Sequence, residues 1–173
     1  MNSRQDAVDV LKSDHEDVKR MFEAFKSLCE RDASDIEKSA MAEQICMALS
    51  VHAQVEEEIF YPAVHPVIGD DALMDEAVVE HAGAKDLIAQ ISTMKPSDPL
   101  FDTKLTVLGE AVDHHVKEEQ REMFPKVRKT NIDLMALGAR IQNRKSKLTD
   151  EYQAMLGRTD RDDEAGDPVG IRP

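Results

Sequence analysis

The sequence predicts an all-α protein: an up-down-up-down four-helix bundle with an additional C-terminal helix. Aromatic residues make up only 4% of the 173 residues, whereas nine Met and abundant Ala, Leu, Glu and Lys favour helices over sheets. Apolar residues recur in alternating steps of three and four, the period of a helix face that packs against partners. Stretches rich in Pro, Gly, Asp and Ser separate these periodic segments. A chain of this length is expected to form one domain.

The first two predicted helices carry polar side chains on faces that are otherwise apolar. The first helix is expected from about residue 5 to 31, and His15 fills a gap in its apolar repeat. The second runs to about Tyr61 and carries His52 and Glu56 four residues apart, so that both side chains project from one face. A proline follows at once and is expected to end or kink this helix, and a loop over 66–71 should lead into the next.

The third and fourth predicted helices repeat this arrangement. The third, roughly 71–94, carries His81 on its apolar face, and the segment Lys-Pro-Ser-Asp-Pro ends it. The fourth, about 101–124, carries His115 and Glu119, again four residues apart. Helices one and two therefore correspond to helices three and four, and the bundle should have an approximate two-fold axis between the two His-Glu pairs.

A fifth, more polar helix is expected at about 131–156. From residue 157 to 173 the sequence lacks any apolar period, and this tail is expected to be disordered. The bundle domain is therefore predicted to span residues 1–156.

The two His-Glu pairs predict a metal site. A single histidine on an apolar face is usually a hydrogen-bonded core residue. A glutamate there is far rarer, because burying an unpaired carboxylate costs many kcal/mol. Two such glutamates, each following a histidine, together with two further histidines, are best explained by a cation that removes this cost.

The residue types narrow the choice of metal. Mixed imidazole and carboxylate ligands suit iron, zinc, copper or manganese, whereas Ca²⁺ and Mg²⁺ prefer oxygen ligands alone. A closed structural zinc site has four ligands and usually includes cysteine. Six ligands shared by two ions leave open positions on each, an arrangement that suits iron chemistry with O₂, peroxide or NO.

The motif order resembles the hemerythrin-like (HHE cation-binding) family. His, His-x-x-x-Glu, His and His-x-x-x-Glu follow one another over roughly residues 8–127, with an aromatic residue and a proline after each pair. The resemblance implies a bundle akin to that of myohemerythrin. It also implies a non-haem centre of two iron ions with an oxo or hydroxo bridge. The implied metal ligands are His15, His52, Glu56, His81, His115 and Glu119.

Two departures bear on function. Oxygen-carrying hemerythrins have a second histidine on the third helix, four residues after the first, and this chain has Lys85 at that position. On the fourth helix they have an aspartate five residues after the histidine, whereas this chain has Glu119 four residues after His115. A reversible oxygen carrier is therefore less favoured than a protein that binds or senses O₂, peroxide, NO or iron. A di-iron redox enzyme, peroxidase-like, catalase-like or NO-reducing, is the alternative. Enzyme status stays open at this stage.

Other polar residues near the motifs are weaker candidates. His114 is expected at the surface, because the proline register aligns its neighbour with His52, and His65 is expected in a loop. Glu57 and Glu118 could accept a hydrogen bond from a ligating imidazole, although solvated positions are favoured.

Tyr61 and Lys85 could deliver protons or control access to the metals. Packing is favoured for the tyrosine and solvation for the lysine, in keeping with how such side chains usually lie.

Charge and cysteine content exclude other classes. A net charge of −13 and a pI of about 4.8 argue against nucleic acid and anionic membrane partners. Cys29 and Cys46 are expected roughly 12 Å apart along the bundle, too far for a disulfide. No signal peptide or transmembrane run is recognised, so a cytoplasmic location is expected. The C-terminal helix could cap the bundle, form a homodimer or bind a protein partner.

Overall fold

The structure, a computed structural model, describes residues 5–164, with side chains for residues 5–155. Over this range it is helical, and its long helices form the predicted up-and-down bundle. In chain order the helices are α1 (Ala7–Glu30), α2 (Asp35–Val55), α3 (Tyr61–Ile68), α4 (Asp71–Ser92), α5 (Phe101–Glu118), α6 (Phe124–Val127) and α7 (Leu134–Glu164). The ring of the bundle closes because α1 packs on α2 and α5, and α4 packs on the same two helices.

Local side-chain chemistry sets the helix boundaries. Ser34 and Glu37 form a capping box at the start of α2, with reciprocal hydrogen bonds between side chains and backbone N–H groups. Gly69 ends α3 in the left-handed conformation (φ 62°), which costs glycine no Cβ clash. The Asp70 side chain then accepts from the backbone N–H of Leu73 and begins α4.

Two helices continue past a proline, Pro62 and Pro125, and the first of these prolines was expected to end or kink its helix. A π-helical turn, Glu56–Phe60, joins α2 to α3, and a second one, Glu119–Met123, joins α5 to α6. Each turn places its proline, Pro62 or Pro125, in the first turn of a new α-helical segment, where the missing N–H is tolerated. The predicted loop from residue 66 was therefore wrong, because α3 runs on to Ile68.

The C-terminal helix is longer than expected. α7 begins at Leu134 and reaches Glu164, eight residues beyond the predicted end. The first part of the predicted tail is therefore helical, and residues 165–173 lie outside the described residues. α7 packs on α1, α2 and the first π turn. Its fully buried apolar side chains are Leu137, Ile141 and Leu148.

Two apolar clusters fill the bundle. The α7-side cluster includes Leu11, Val55 and Phe124, and the far cluster includes Leu49 and Leu105. The four buried histidines lie between these clusters, and His15, His52 and His81 are each one turn from a member of both. The core is thus interrupted at one level by a polar layer.

Two further expectations concern membranes and disulfides. No helix in the described part of the chain has both the length and the apolar character needed to cross a bilayer. Cys29 and Cys46 are free thiols, as predicted. Burial and the nearby charge of Glu43 raise the pKa of Cys46 to about 11, so this thiol stays protonated.

Candidate metal centre

Six buried polar side chains meet between the two apolar clusters, and they are the six that the sequence predicts as ligands. None is more than 7% exposed. Such burial is unusual for histidine and very costly for an isolated carboxylate. The six are His15 from α1, His52 from α2, Glu56 from the first π turn, His81 from α4, His115 from α5 and Glu119 from the second π turn.

One half of the site is formed by His15 and His52. Their Nε2 atoms lie 3.2 Å apart. Glu119 Oε2 lies 3.3 Å from Nε2 of His15, and Glu56 Oε1 lies 3.2 Å from Nε2 of His52. One ligand atom from each of these four residues lies within 4.8 Å of the others, a spacing that one cation could span.

His81 and His115 form the other half. Their Nε2 atoms are 3.1 Å apart. Glu56 Oε2 lies 3.4 Å from Nε2 of His81, so this carboxylate turns one oxygen toward each half. Glu119 Oε2 lies 3.7 Å from Nε2 of His115, somewhat farther than from the opposite half. The two carboxylates thus lie between the two pairs of histidines.

The donor set fits metal binding. Glu56 Oε1 and Glu119 Oε2 are fully buried and accept no hydrogen bond, although an imidazole nitrogen faces each at 3.2–3.3 Å. A buried carboxylate oxygen without a partner carries a large desolvation penalty. Nitrogen and oxygen donors from six residues are a ligand set that first-row transition metals prefer.

A carboxylate holds the outer nitrogen of one histidine in each half. His52 Nδ1 lies 3.5 Å from Asp14 Oδ2, and His115 Nδ1 lies 2.7 Å from Glu80 Oε2. Asp14 and Glu80 each come immediately before the histidine of the paired helix. The duplication could therefore have predicted both, although sequence reasoning singled out neither. A proton on Nδ1 leaves the Nε2 lone pair facing the site.

The remaining two histidines are held by residues that follow the glutamates. Glu57 Oε1 lies 2.9 Å from His81 Nδ1, which confirms the outer-partner interpretation over the solvated one. At the equivalent position the amide of Gln120 lies 3.1 Å from His15 Nδ1. Lys85 forms an ion pair with Glu57 and so stands outside the polar layer.

Tyr61 enters the site, where packing had been expected. Its hydroxyl donates to Glu119 Oε1 at 2.9 Å and lies 3.3 Å from His81 Nε2. At the equivalent position in the other half, Phe124 stacks on His15 with ring centroids 5.8 Å apart. The two halves are therefore chemically different: one faces a phenol and the other an apolar ring.

The carboxylates of the site stabilise positive charge on the imidazoles. Burial alone would lower the pKa of His52, but Glu56 and Asp14 outweigh it and raise the pKa to about 10. Burial opposes ionisation of Glu56, yet the positive charges of His52 and His81 hold its pKa well below the usual range. Burial, together with the negative charge of Glu56, also raises the pKa of Tyr61 well above its usual value. Protons thus supply the positive charge that a cation would bring.

Three neighbouring residues lie outside the polar layer. The His114 side chain is 65% exposed, as predicted, and contacts Glu80 and Glu118. Glu118 therefore does not support a ligating imidazole. His65 lies in α3, not in a loop, and its Nε2 is 2.8 Å from Asp71.

Comparison with known proteins agrees with this geometry. The family model described as the Hemerythrin HHE cation binding domain matches residues 6–127. The chain belongs to the hemerythrin HHE cation-binding family, and its described helices form the bundle of that family with a C-terminal helix added.

Two individual proteins are similar to this chain. A protein named "DNA nickase" from Nostoc sp. (strain PCC 7120 / SAG 25.82 / UTEX 2576) is 31% identical over 120 residues, which are 69% of this chain and 33% of that protein. The chain thus spans about a third of the relative. The crystal structure of a Hemerythrin HHE cation binding domain-containing protein from Mycobacterium kansasii, an Rv2633c homolog, superposes with a TM-score of 0.70 at 22% identity. The superposition covers 85% of this chain and 89% of that one, and it shows that the two proteins share a fold.

Proposed function

We propose that this protein holds two non-haem iron ions and binds or senses O₂, peroxide, NO or iron there. The observation that carries the proposal is the pair of buried glutamates with unsatisfied oxygens, surrounded by four imidazole Nε2 atoms from four helices. His15 and His52 would hold one ion, and His81 and His115 the other. Glu56 and Glu119 would bridge them.

A small cavity supports a diatomic or similarly small ligand. It has a volume of about 50 Å³, and all four histidines line it together with Leu49, Val112 and other apolar side chains. This volume admits a few water-sized molecules. When bound, the iron pair supplies electrons and open coordination positions to such a ligand.

A redox enzyme is the second candidate, and the position of Tyr61 favours it. The hydroxyl lies 2.9 Å from Glu119 and brings a hydrogen-bond donor into the site. Iron-loaded protein that consumes peroxide over many turnovers, with Glu56→Ala inactive, would indicate an enzyme. A rate no better than that of free iron would favour the sensor.

Two other functions are less well supported. In a reversible carrier a further histidine would stand where this chain has Lys85, which instead pairs with Glu57. DNA nicking is named for a relative of which this chain covers a third. The net charge of −13 opposes binding to a polyanion, so nucleic acid is not part of the proposal.

The first test is metal content in matched variants. Glu56→Ala and Glu119→Ala should each lose most of the iron, because either change removes a shared ligand. His114→Ala is the control, since this histidine is exposed and has the same spacing to a glutamate. Equal iron loss in all three variants would refute the assignment of ligands.

A further inference from the structure

The C-terminal helix lies outside the matched residues 6–127, yet one of its side chains reaches the polar layer. Lys145 of α7 donates to Asp14 Oδ1 on α1. Arg144, its neighbour on α7, forms an ion pair with Glu58, at 2.7 Å between Nε and Oε2. Both residues thus hold α7 against the bundle, but only one of their two partners contacts a predicted metal ligand.

Asp14 connects Lys145 to a predicted metal ligand. Its side chain is only 6% exposed, so its charge needs a partner. One carboxylate oxygen faces Lys145, and the other lies 3.5 Å from His52 Nδ1. Glu58 is a useful contrast, because its contacts are with α7 and with Gln54, four residues before it on the helix.

The other outer carboxylates find their partners within the bundle itself. Lys85 on α4 pairs with Glu57, and His114 on α5 faces Glu80. Among the described residues, the Asp14–His52 pair therefore differs in depending on a helix outside the bundle.

We infer that Lys145 and Asp14 are positioning residues for the cation held by His15 and His52, and that α7 docking and metal occupancy stabilise each other. The inference rests on the proposed metal pair. Lys145 holds the Asp14 carboxylate against His52 and offsets its charge. Because coupling between two equilibria is reciprocal, metal loading must then favour the docked helix by the same factor.

Removal of the positive charge should weaken one ion more than the other. Loss of a partner that orients a ligand typically lowers metal affinity about 10–100-fold. Lys145 acts one contact farther out, so Lys145→Gln should speed chelator extraction of one iron about three- to tenfold, with the second iron unchanged. Lys145→Arg, which keeps the charge, should restore the wild-type rate. Asp14→Asn keeps an acceptor for His52 but loses the charge, and should release the same iron faster.

Arg144→Gln is the matched control, because it removes an ion pair between α7 and the bundle without touching Asp14. Iron release is followed by chelator competition, and α7 docking by amide hydrogen exchange over residues 141–152 with and without iron. The expected result is faster release of one iron in Lys145→Gln but not in Arg144→Gln, and slower exchange of α7 on loading in the wild type.

Equal rates of iron release in Lys145→Gln and Arg144→Gln would overturn the inference while leaving the metal site intact. So would hydrogen exchange of α7 that is the same with and without iron in the wild type. Wild-type protein that takes up no iron would overturn the proposed function instead, and the inference with it.

Discussion

Each imidazole of the site is held from behind by another side chain, and this sets which ring nitrogen faces the cavity. In each half, one partner precedes a histidine (Asp14, Glu80) and one follows a glutamate (Glu57, Gln120). The three carboxylates can accept a hydrogen bond from Nδ1 and so orient a ligand and raise its basicity, whereas the amide nitrogen of Gln120 only donates. The site is therefore pre-formed by a layer of contacts that the duplication repeats.

Metal loading should release protons. In the metal-free protein the pKa of His52 is about 10, so this ring is protonated near neutral pH and must lose its proton to bind a cation. Metal affinity should therefore fall as the pH drops below about 10, by up to about tenfold per pH unit for this one proton. Calorimetry in buffers of different ionisation enthalpy measures the release.

The exposed His114 provides the control for proton release, since His114→Ala should behave like the wild type. Metal binding without proton release, or with an affinity that is constant across the neutral range, would contradict the charge state assigned to His52.

At the scale of residues, the sequence predicts the site residues whose charge is out of place on an apolar helix face. Glu56 and Glu119 stand out because a carboxylate on an apolar helix face needs a compensating charge. Tyr61 does not stand out, because five residues along a regular α-helix turn it about 140° away from Glu56. Its entry into the site depends on backbone geometry that its own residue type does not reveal.

The two π turns are the elements that complete the site. In the first, the backbone N–H of Tyr61 donates to the carbonyl of Glu56, five residues back, and the second repeats this between Phe124 and Glu119. The first turn brings the Tyr61 hydroxyl within 3.3 Å of Glu56 Oε2. After the second turn, Phe124 stacks on His15. Single π turns inside α-helices are frequent at functional sites, and here they surround both shared carboxylates.

Deletion of Arg121 tests the second π turn. This side chain is exposed, and removing one residue should convert the turn to a regular α-helix. Glu119 would then rotate by about 100° relative to Phe124. We expect the deletion to lose most of the metal, as measured by metal analysis, with helix content followed by circular dichroism.

Arg121→Ala is the matched substitution and should keep the metal, because it leaves the backbone unchanged. A deletion variant that stays folded and retains full metal content would show that the π turn does not position Glu119.

The helices could be predicted from apolar periodicity, but the ends of the helices next to the prolines could not. Pro62 and Pro125 remove an N–H from what looks like a helix interior, which ordinarily ends a helix. The residue pattern before each proline does not distinguish a π turn, which accommodates the proline, from the end of a helix. The length of α7 was underestimated for a related reason: beyond residue 156 it has no apolar period to signal a helix.

The whole bundle is divided by its polar layer, so ions should contribute to its stability. A ligand that binds only the folded state adds about 2.7 kcal/mol when present at 100 times its Kd. For a domain of this size that is roughly 5–10 °C in Tm for each ion. Chelation of iron should lower the Tm by that amount for each ion removed, measured by calorimetry.

Glu56→Ala should show no such dependence on chelator, whereas His114→Ala should match the wild type. An iron-loaded wild type whose Tm is unaffected by complete metal removal would mean that the polar layer is stable without cations.

Metal analysis combined with an absorption spectrum tests most directly whether the six converging side chains hold a pair of iron ions. Protein expressed with ample iron should contain about two iron ions per chain, the number that two histidine pairs and two shared carboxylates can hold. After oxidation it should show near-ultraviolet charge-transfer bands from oxygen to iron. Colourless protein with stoichiometric zinc, or with no metal, would contradict this.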